Sequence, residues 1–226
     1  MLRHPDRRYA DRAEAGAVLA RLLCQELADP ETRGRLLVLG LPRGGIPVAG
    51  PVAAALGAPL DVLLVRKVGL PEQPELAIGA VAMIGSRTVA VRNELVLDRC
   101  WVSESDFHTS CQAELNTLSQ QAVRYRDDRP PLDPAGRLVI VVDDGLATGA
   151  TMRAAIAALR SVNPSRLVLA VPIGSPAACR MLADLVDLMI CPWQPPDFRA
   201  VSQGYRDFNQ TSDTDVIRIL AESNPG

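Results

Sequence analysis

Apolar and polar positions alternate between two periods along this chain. Arg35 to Gly40, Arg137 to Val142 and Arg166 to Ile173 are short, nearly unbroken apolar runs, the pattern of strands buried on both faces. Leu60 to Val68 reads as another strand whose last residues include Arg66 and Lys67, and Leu188 to Cys191 as a final short one. Between them the period changes to that of helices. Asp11 to Ala28 places Ala15, Val18, Leu19, Leu22 and Leu23 on one face, and helices are predicted over Pro47 to Leu56, Thr148 to Arg160 and Ser175 to Leu185. Pro51 interrupts the first of these three, and Asn163-Pro164 stops the second. Gly69 to Glu75 is a loop with two prolines. Leu76 to Met83 and Thr88 to Asn93 flank Ile84-Gly85-Ser86-Arg87 as a hairpin would. Ser103 to Tyr125 is a long polar helix, and Asp127 to Gly136 a proline- and charge-rich connector.

Strands separated by helices of this length predict parallel pairing with right-handed crossovers, an α/β fold. The expected organisation is one domain over residues 1–226. It has a core of about 30–191, a loop and β-hairpin flap over about 68–93, and a hood of about 192–220 joined by the N-terminal helix. The tail from Pro192 holds Trp193, Phe198, Tyr205 and Phe208. It is either a cap over the sheet edge or a lid over a flat ligand, with Phe198 and Tyr205 as candidate contacts for a base.

Composition narrows the function classes. Hydrophobic residues make up 48% of the 226, enough for a substantial core. The net charge is −2, and no dense Lys/Arg stripe suggests a nucleic-acid partner. The five cysteines form no CxxC pair, and with two histidines no zinc constellation can be assembled by spacing. Reduced thiols in a cytosolic protein are expected. The N-terminus carries charges throughout, unlike a secretory signal, and no apolar stretch approaches the roughly 20 residues that span a bilayer.

Open α/β sheets bind ligands beyond the carboxyl ends of their strands, and four features fall at such ends. Asp143 and Asp144 terminate a buried strand and suit a diol, a metal ion or a cation. Leu146-Ala147-Thr148-Gly149-Ala150-Thr151 leads into a helix, where free backbone amides and the helix dipole favour an anion. It lacks the lysine of a Walker loop, and no GxGxxG fingerprint occurs. Leu41-Pro42-Arg43-Gly44-Gly45 follows the first strand, offering a nest of amides and a guanidinium. Arg66 and Lys67 close the second strand, where adjacent cations repel unless an anion or carboxylate lies between them. Each feature singly has a structural reading as a turn, a cap or solvated charge. Together they fit a ligand with a diol and two separate phosphate groups.

Val142-Asp143-Asp144-Gly145-Leu146-Ala147-Thr148-Gly149-Ala150-Thr151-Met152 resembles the 5-phosphoribosyl 1-pyrophosphate (PRPP) signature of type I phosphoribosyltransferases. The turn at Pro42, the Arg-Lys-Val-Gly stretch at Arg66 and the Tyr-x-x-Phe-x-Gln-Thr tail at Tyr205 are similar to those of a bacterial group within that family. The resemblance implies a phosphoribosyltransferase-like parallel core that transfers phosphoribosyl from PRPP to a nitrogenous base, in nucleotide salvage and as a homodimer. It implies that Asp143 and Asp144 hold the ribose hydroxyls and that Ala147, Thr148, Gly149, Ala150 and Thr151 hold the 5-phosphate. Arg43, Gly44 and Gly45 would hold pyrophosphate, with Arg66 and Lys67 beside it before a mobile loop. Mg²⁺ would be carried chiefly by pyrophosphate and ribose oxygens, with no metal site built from protein groups alone. Some 6-oxopurine enzymes of the family carry a third Asp where this chain has Ala147. Its absence looks more like the adenine-using branch, which takes a loop carboxylate, here Glu72 or Glu75. A non-catalytic PRPP-binding regulator on the same fold is the alternative.

Overall fold

The unbroken apolar runs become the centre of a five-stranded parallel sheet. In the computed structural model, which describes residues 8–28, 34–70, 73–126 and 129–223 (side chains of 73–75 excepted), β1 (Leu36–Gly40) and β6 (Leu138–Val142) are buried along their whole length. Successive side chains point to opposite faces. Leu138, Ile140 and Val142 therefore join a core beneath α1 (Arg12–Glu26), α2 (Gly45–Leu56) and α7 (Asp213–Ser223), while Val139 and Val141 join one beneath α5 (Ala150–Arg160) and α6 (Pro176–Ala183). Helices cover both faces, as an all-parallel sheet requires.

The strand order is β2-β1-β6-β7-β8, with β2 (Leu60–Val62), β7 (Arg166–Ala170) and β8 (Leu188–Ile190) completing the sheet. The order reverses between β1 and β6, and such a switch point opens a crevice beyond the strand ends. Gly40 pairs with Val142, so the two strands finish level and their following loops emerge side by side.

Three expectations are corrected. Leu60 to Val68 is not one strand: β2 ends at Val62, and β3 (Leu64–Leu70) belongs to a separate antiparallel sheet, β3-β4-β5. Leu63 sends its amide to Gly40 O at 2.9 Å, and the chain then leaves the parallel sheet. The hairpin is longer than its pattern, with β4 (Gln73–Ile84) and β5 (Arg87–Arg92), so the expected loop over Gly69 to Glu75 shrinks. A short helix, α3 (Glu94–Arg99), precedes α4 (Glu104–Arg126). Among the described residues no helix is long and apolar enough to cross a membrane.

One charge inside the β2 run holds the edge of the sheet. Asp61 is 5% exposed and receives Arg126 Nε at 2.9 and 3.2 Å, with Leu132 N–H at 3.1 Å. Arg126 also donates to Val62 O at 3.1 Å, tying the end of α4 to β2. Removing one partner of a buried ion pair leaves the other charge uncompensated. Asp61→Ala should therefore cost about 3–5 kcal/mol of stability. Urea unfolding of the variant measures it, and an unchanged midpoint would show that the pair holds nothing.

Candidate active site

The two loops at the switch point touch through glycine. A Cβ on Gly44 would collide with the Asp144 carboxylate, its Cγ at 2.7 Å. One on Gly45 would meet Val142 O at 2.7 Å and Asp143 Oδ1 at 3.1 Å. Gly44 has ordinary helical dihedrals (φ −63°, ψ −32°), so clearance and not a special backbone conformation calls for glycine here. Leu41 N–H donates to Val142 O at 2.9 Å and Gly45 N–H to Leu41 O at 2.9 Å, which fixes the turn against the acids.

Beyond the acids the chain bends into α5. Gly149 stands at its N-cap in the left-handed region (φ 73°), where glycine is at ease. The first internal helix bond is Arg153 N–H to Gly149 O at 2.8 Å. The amides of Ala150, Thr151 and Met152 precede that bond and lie at the positive end of the helix dipole. Thr148 Oγ1 approaches the Ala150 amide at only 3.4 Å. Ala147 and Thr148 are exposed, and the Ala147 carbonyl accepts from the Ser175 hydroxyl at 2.7 Å.

A cavity of about 420 Å³ opens beside this helix start, lined by Leu41, Arg43, Arg66, Arg124, Thr151 and Asp213 among others. A second, of about 660 Å³, continues along β3 past Arg66 and Lys67 to Leu70 and shares Thr151. Arg43 and Arg66 from the predicted set therefore share a cavity with Thr151, while Lys67, the next residue on the strand, lines the second. Arg66 is paired with Glu114 of α4, which answers the question of how adjacent cations are tolerated. Asp213 faces Arg124 at 2.6 Å and Arg43 at 3.8 Å and accepts from the Tyr125 hydroxyl at 2.8 Å, contacts that hold its carboxyl below the usual range.

The two acids differ in their neighbours. Burial and the adjacent Asp144 charge push the Asp143 carboxyl well above the ordinary range. Burial also raises Asp144, opposed by the charge and hydrogen bonds of Arg12, whose Nε and Nη2 both lie 2.9 Å from Asp144 Oδ2.

The hood closes over this corner. Tyr205 is 2% exposed and donates its hydroxyl to Asp144 O at 2.6 Å, with the Phe208 and Tyr9 rings tilted against it at 5.0 and 5.8 Å. It anchors the hood and offers no open face to a base, contrary to the expectation from its ring. Phe198 is half-buried in the same cluster. Glu72 lies outside the described residues, and so does the Glu75 side chain. Residues that the sequence pattern did not single out are Arg12 and Arg124. Arg12 carried one signal, a cation in the first turn of a helix, where the dipole disfavours it.

Residues 8–194 match the family described as "Phosphoribosyl transferase domain". Proteins named "Putative phosphoribosyl transferase" from two strains of Mycobacterium tuberculosis, CDC 1551 / Oshkosh and H37Rv, are each 43% identical over 212 residues, 94% of this chain. The chain spans less than half of those relatives, 46% of their length. The crystal structure of TT1426 from Thermus thermophilus superposes with a TM-score of 0.81 at 40% identity, covering 96% of this chain and 99% of that one.

The raised Asp143 has a consequence for stability. A carboxyl whose folded pKa exceeds its unfolded value binds more protons when folded. Its stabilising contribution is present at low pH and lost as pH rises through the folded pKa. Asp143→Asn keeps an acceptor for the Asp144 amide (2.8 Å in the wild type) and removes the half-buried charge. At pH 8 it should raise Tm by about 2–4 °C, the shift that ~1 kcal/mol produces in a chain of this size. That advantage should fade as the pH falls through the Asp143 titration. Calorimetry across pH reads it, and a variant less stable than wild type at pH 8 would contradict the assignment.

Proposed function

Because the chain belongs to the phosphoribosyl transferase domain family, we propose that it transfers the 5-phosphoribosyl group of PRPP to a nitrogenous base and releases pyrophosphate. The observation that carries this reading is the contact of Gly44 and Gly45 with the acid pair, in the turn whose Arg43 lines a cavity with Arg66, Arg124 and Thr151. That arrangement offers hydroxyl acceptors, free helix amides and guanidiniums within one corner of the sheet, the inventory a doubly phosphorylated sugar requires.

In the proposed chemistry, a lone pair on the base nitrogen forms the bond to ribose C1. The C1–O bond to pyrophosphate breaks, its electron pair leaves with the pyrophosphate, and the nitrogen gives its proton to water. The transition state resembles an oxocarbenium ion, as in glycoside hydrolysis. Asp143 and Asp144 accept the ribose hydroxyls and face the growing positive charge. The amides of Ala150 and Thr151, with the Thr148 and Thr151 hydroxyls, hold the 5-phosphate. Arg43, Arg66 and Lys67 stabilise the leaving pyrophosphate, and Arg124 joins them from α4. Phe198 remains the hood candidate for contact with the base.

Among the described residues no cluster of three or more His, Cys, Asp or Glu could hold a metal ion. Mg²⁺ would instead be carried by the pyrophosphate and ribose oxygens, and would supply charge neutralisation of the leaving group.

The test is pyrophosphate release from PRPP and Mg²⁺ with a panel of purines, pyrimidines and nicotinate. Release with one base is expected, and Asp144→Asn should lower kcat/KM about 10- to 100-fold, the worth of a hydrogen bond to a charged group. PRPP binding without release in any mixture would replace the transferase with a PRPP-binding regulator.

A further inference from the structure

Arg12 reaches the acid pair from outside the phosphate and pyrophosphate loops. The segment before α1 runs beside the hood: Tyr9 N–H donates to Gly204 O at 2.8 Å, and Arg206 N–H returns to Tyr9 O at 2.8 Å. Asp11 caps α1, accepting from Glu14 N–H at 2.8 Å, so Arg12 leaves the first turn of the helix in a fixed direction. Its guanidinium lies 4.0 Å from the Phe208 ring centroid and 5.9 Å from that of Tyr205, and Nη1 donates to Asn209 O at 2.7 Å. Only 12% of its side chain is exposed. Both remaining contacts, from Nε and Nη2, fall on Asp144 Oδ2. Oδ1 stays outside the ion pair.

We propose that Arg12 is a positioning residue for the acid pair: it holds Asp144 by Oδ2 and leaves Oδ1 to receive a sugar hydroxyl. The proposal rests on the phosphoribosyl reading of the site. Three observations support it. A cation in the first turn of a helix works against the dipole, so its place is justified by tertiary contact. The aromatic and carbonyl contacts leave the guanidinium one orientation. Asp143, on the same strand end, has no such partner among the described residues, and the two acids differ accordingly.

The groups facing Asp144 are Asp143 from β6's end, Arg12 from α1, Tyr205 from the hood with Tyr9 behind it, and the Gly44 peptide from the turn after β1. The Arg43 guanidinium turns instead toward Asp213. Burial and the Asp144 charge raise the Tyr205 phenol further, and burial pushes Tyr9 up to about 12, so both stay neutral through the working pH range. Arg12 is thus the cation paired with Asp144. Without it, Asp144 takes a proton at higher pH and its side chain loses its one fixed direction.

The experiment is calorimetric titration of the full chain with PRPP and Mg²⁺ at a series of pH values, on wild type, Arg12→Met and Arg12→Lys, with circular dichroism to follow folding. Arg12→Met should bind about 10- to 100-fold more weakly at neutral pH, as for a lost charge-assisted hydrogen bond. Its acid-side loss of binding should move to higher pH. Arg12→Lys keeps the charge without the two-pronged grip, and should restore the pH profile and part of the affinity. Equal or tighter binding by a folded Arg12→Met overturns the proposal, since the guanidinium would then compete with the sugar. Weaker binding with an unmoved pH profile, or an Arg12→Lys that restores neither, reduces Arg12 to a structural brace and overturns it too. Wild type that fails to bind PRPP sinks the phosphoribosyl reading itself, an outcome separable from the others because it precedes any substitution.

Discussion

Two strand ends meet at the switch point, and the loop after β1 brings no side chain to the contact. Gly44 and Gly45 lie against Asp144 and Asp143 so closely that a single Cβ on either glycine would overlap the acids or their backbone. The level ending of β1 and β6, with Gly40 opposite Val142, brings the loops to this distance. The absence of a Cβ at Gly44 and Gly45 lets them stay there. The rest of the site inherits its position from this contact. The turn that carries Arg43 is held by the bonds of Leu41 and Gly45, and the chain leaving Asp144 bends at once into the start of α5.

Charge is distributed unevenly around that corner. Acid is concentrated where the strands end, half-buried in surroundings that disfavour it, and Arg12 and the hood aromatics offset the cost on one side only. Cations line the neighbouring cavity, and three of them have a carboxylate within reach: Arg66 has Glu114, while Arg43 and Arg124 share Asp213. These partners keep guanidiniums apart in the absence of an anion. An arriving phosphate then has to displace surface pairs that are individually worth little, so the cavity is organised without being closed to ligand.

Much of the fold was legible because the central strands are buried on both faces and read as unbroken apolar runs. Where the same logic failed, it failed for a physical reason. Leu60 to Val68 is apolar on both sides of Leu63, and no glycine or proline marks the passage from one sheet to the other. The lone Asp61 inside that run was the visible sign of a buried partner, although Arg126 could not be named from spacing. At the site, Asp143-Asp144 and the threonine-glycine turn were legible because their residue types carry the chemistry. Gly44 and Gly45 were found as a turn, but their clearance role depends on a partner loop far away in the chain. Arg124 sits in a long polar helix whose inward face is decided only by packing against the flap and α7. The sequence leaves Tyr205 open between a cap and a lid, since burial of its ring depends on Tyr9 from far away in the chain.

The most direct test of the switch-point account is a crystal structure of the chain with PRPP and Mg²⁺. The account predicts the sugar between the Leu41–Gly45 and Asp143–Thr151 loops, its hydroxyls on the two acids and its 5-phosphate on the first amides of α5. A sugar phosphate bound elsewhere, with the Asp143–Asp144 corner left untouched, would contradict it.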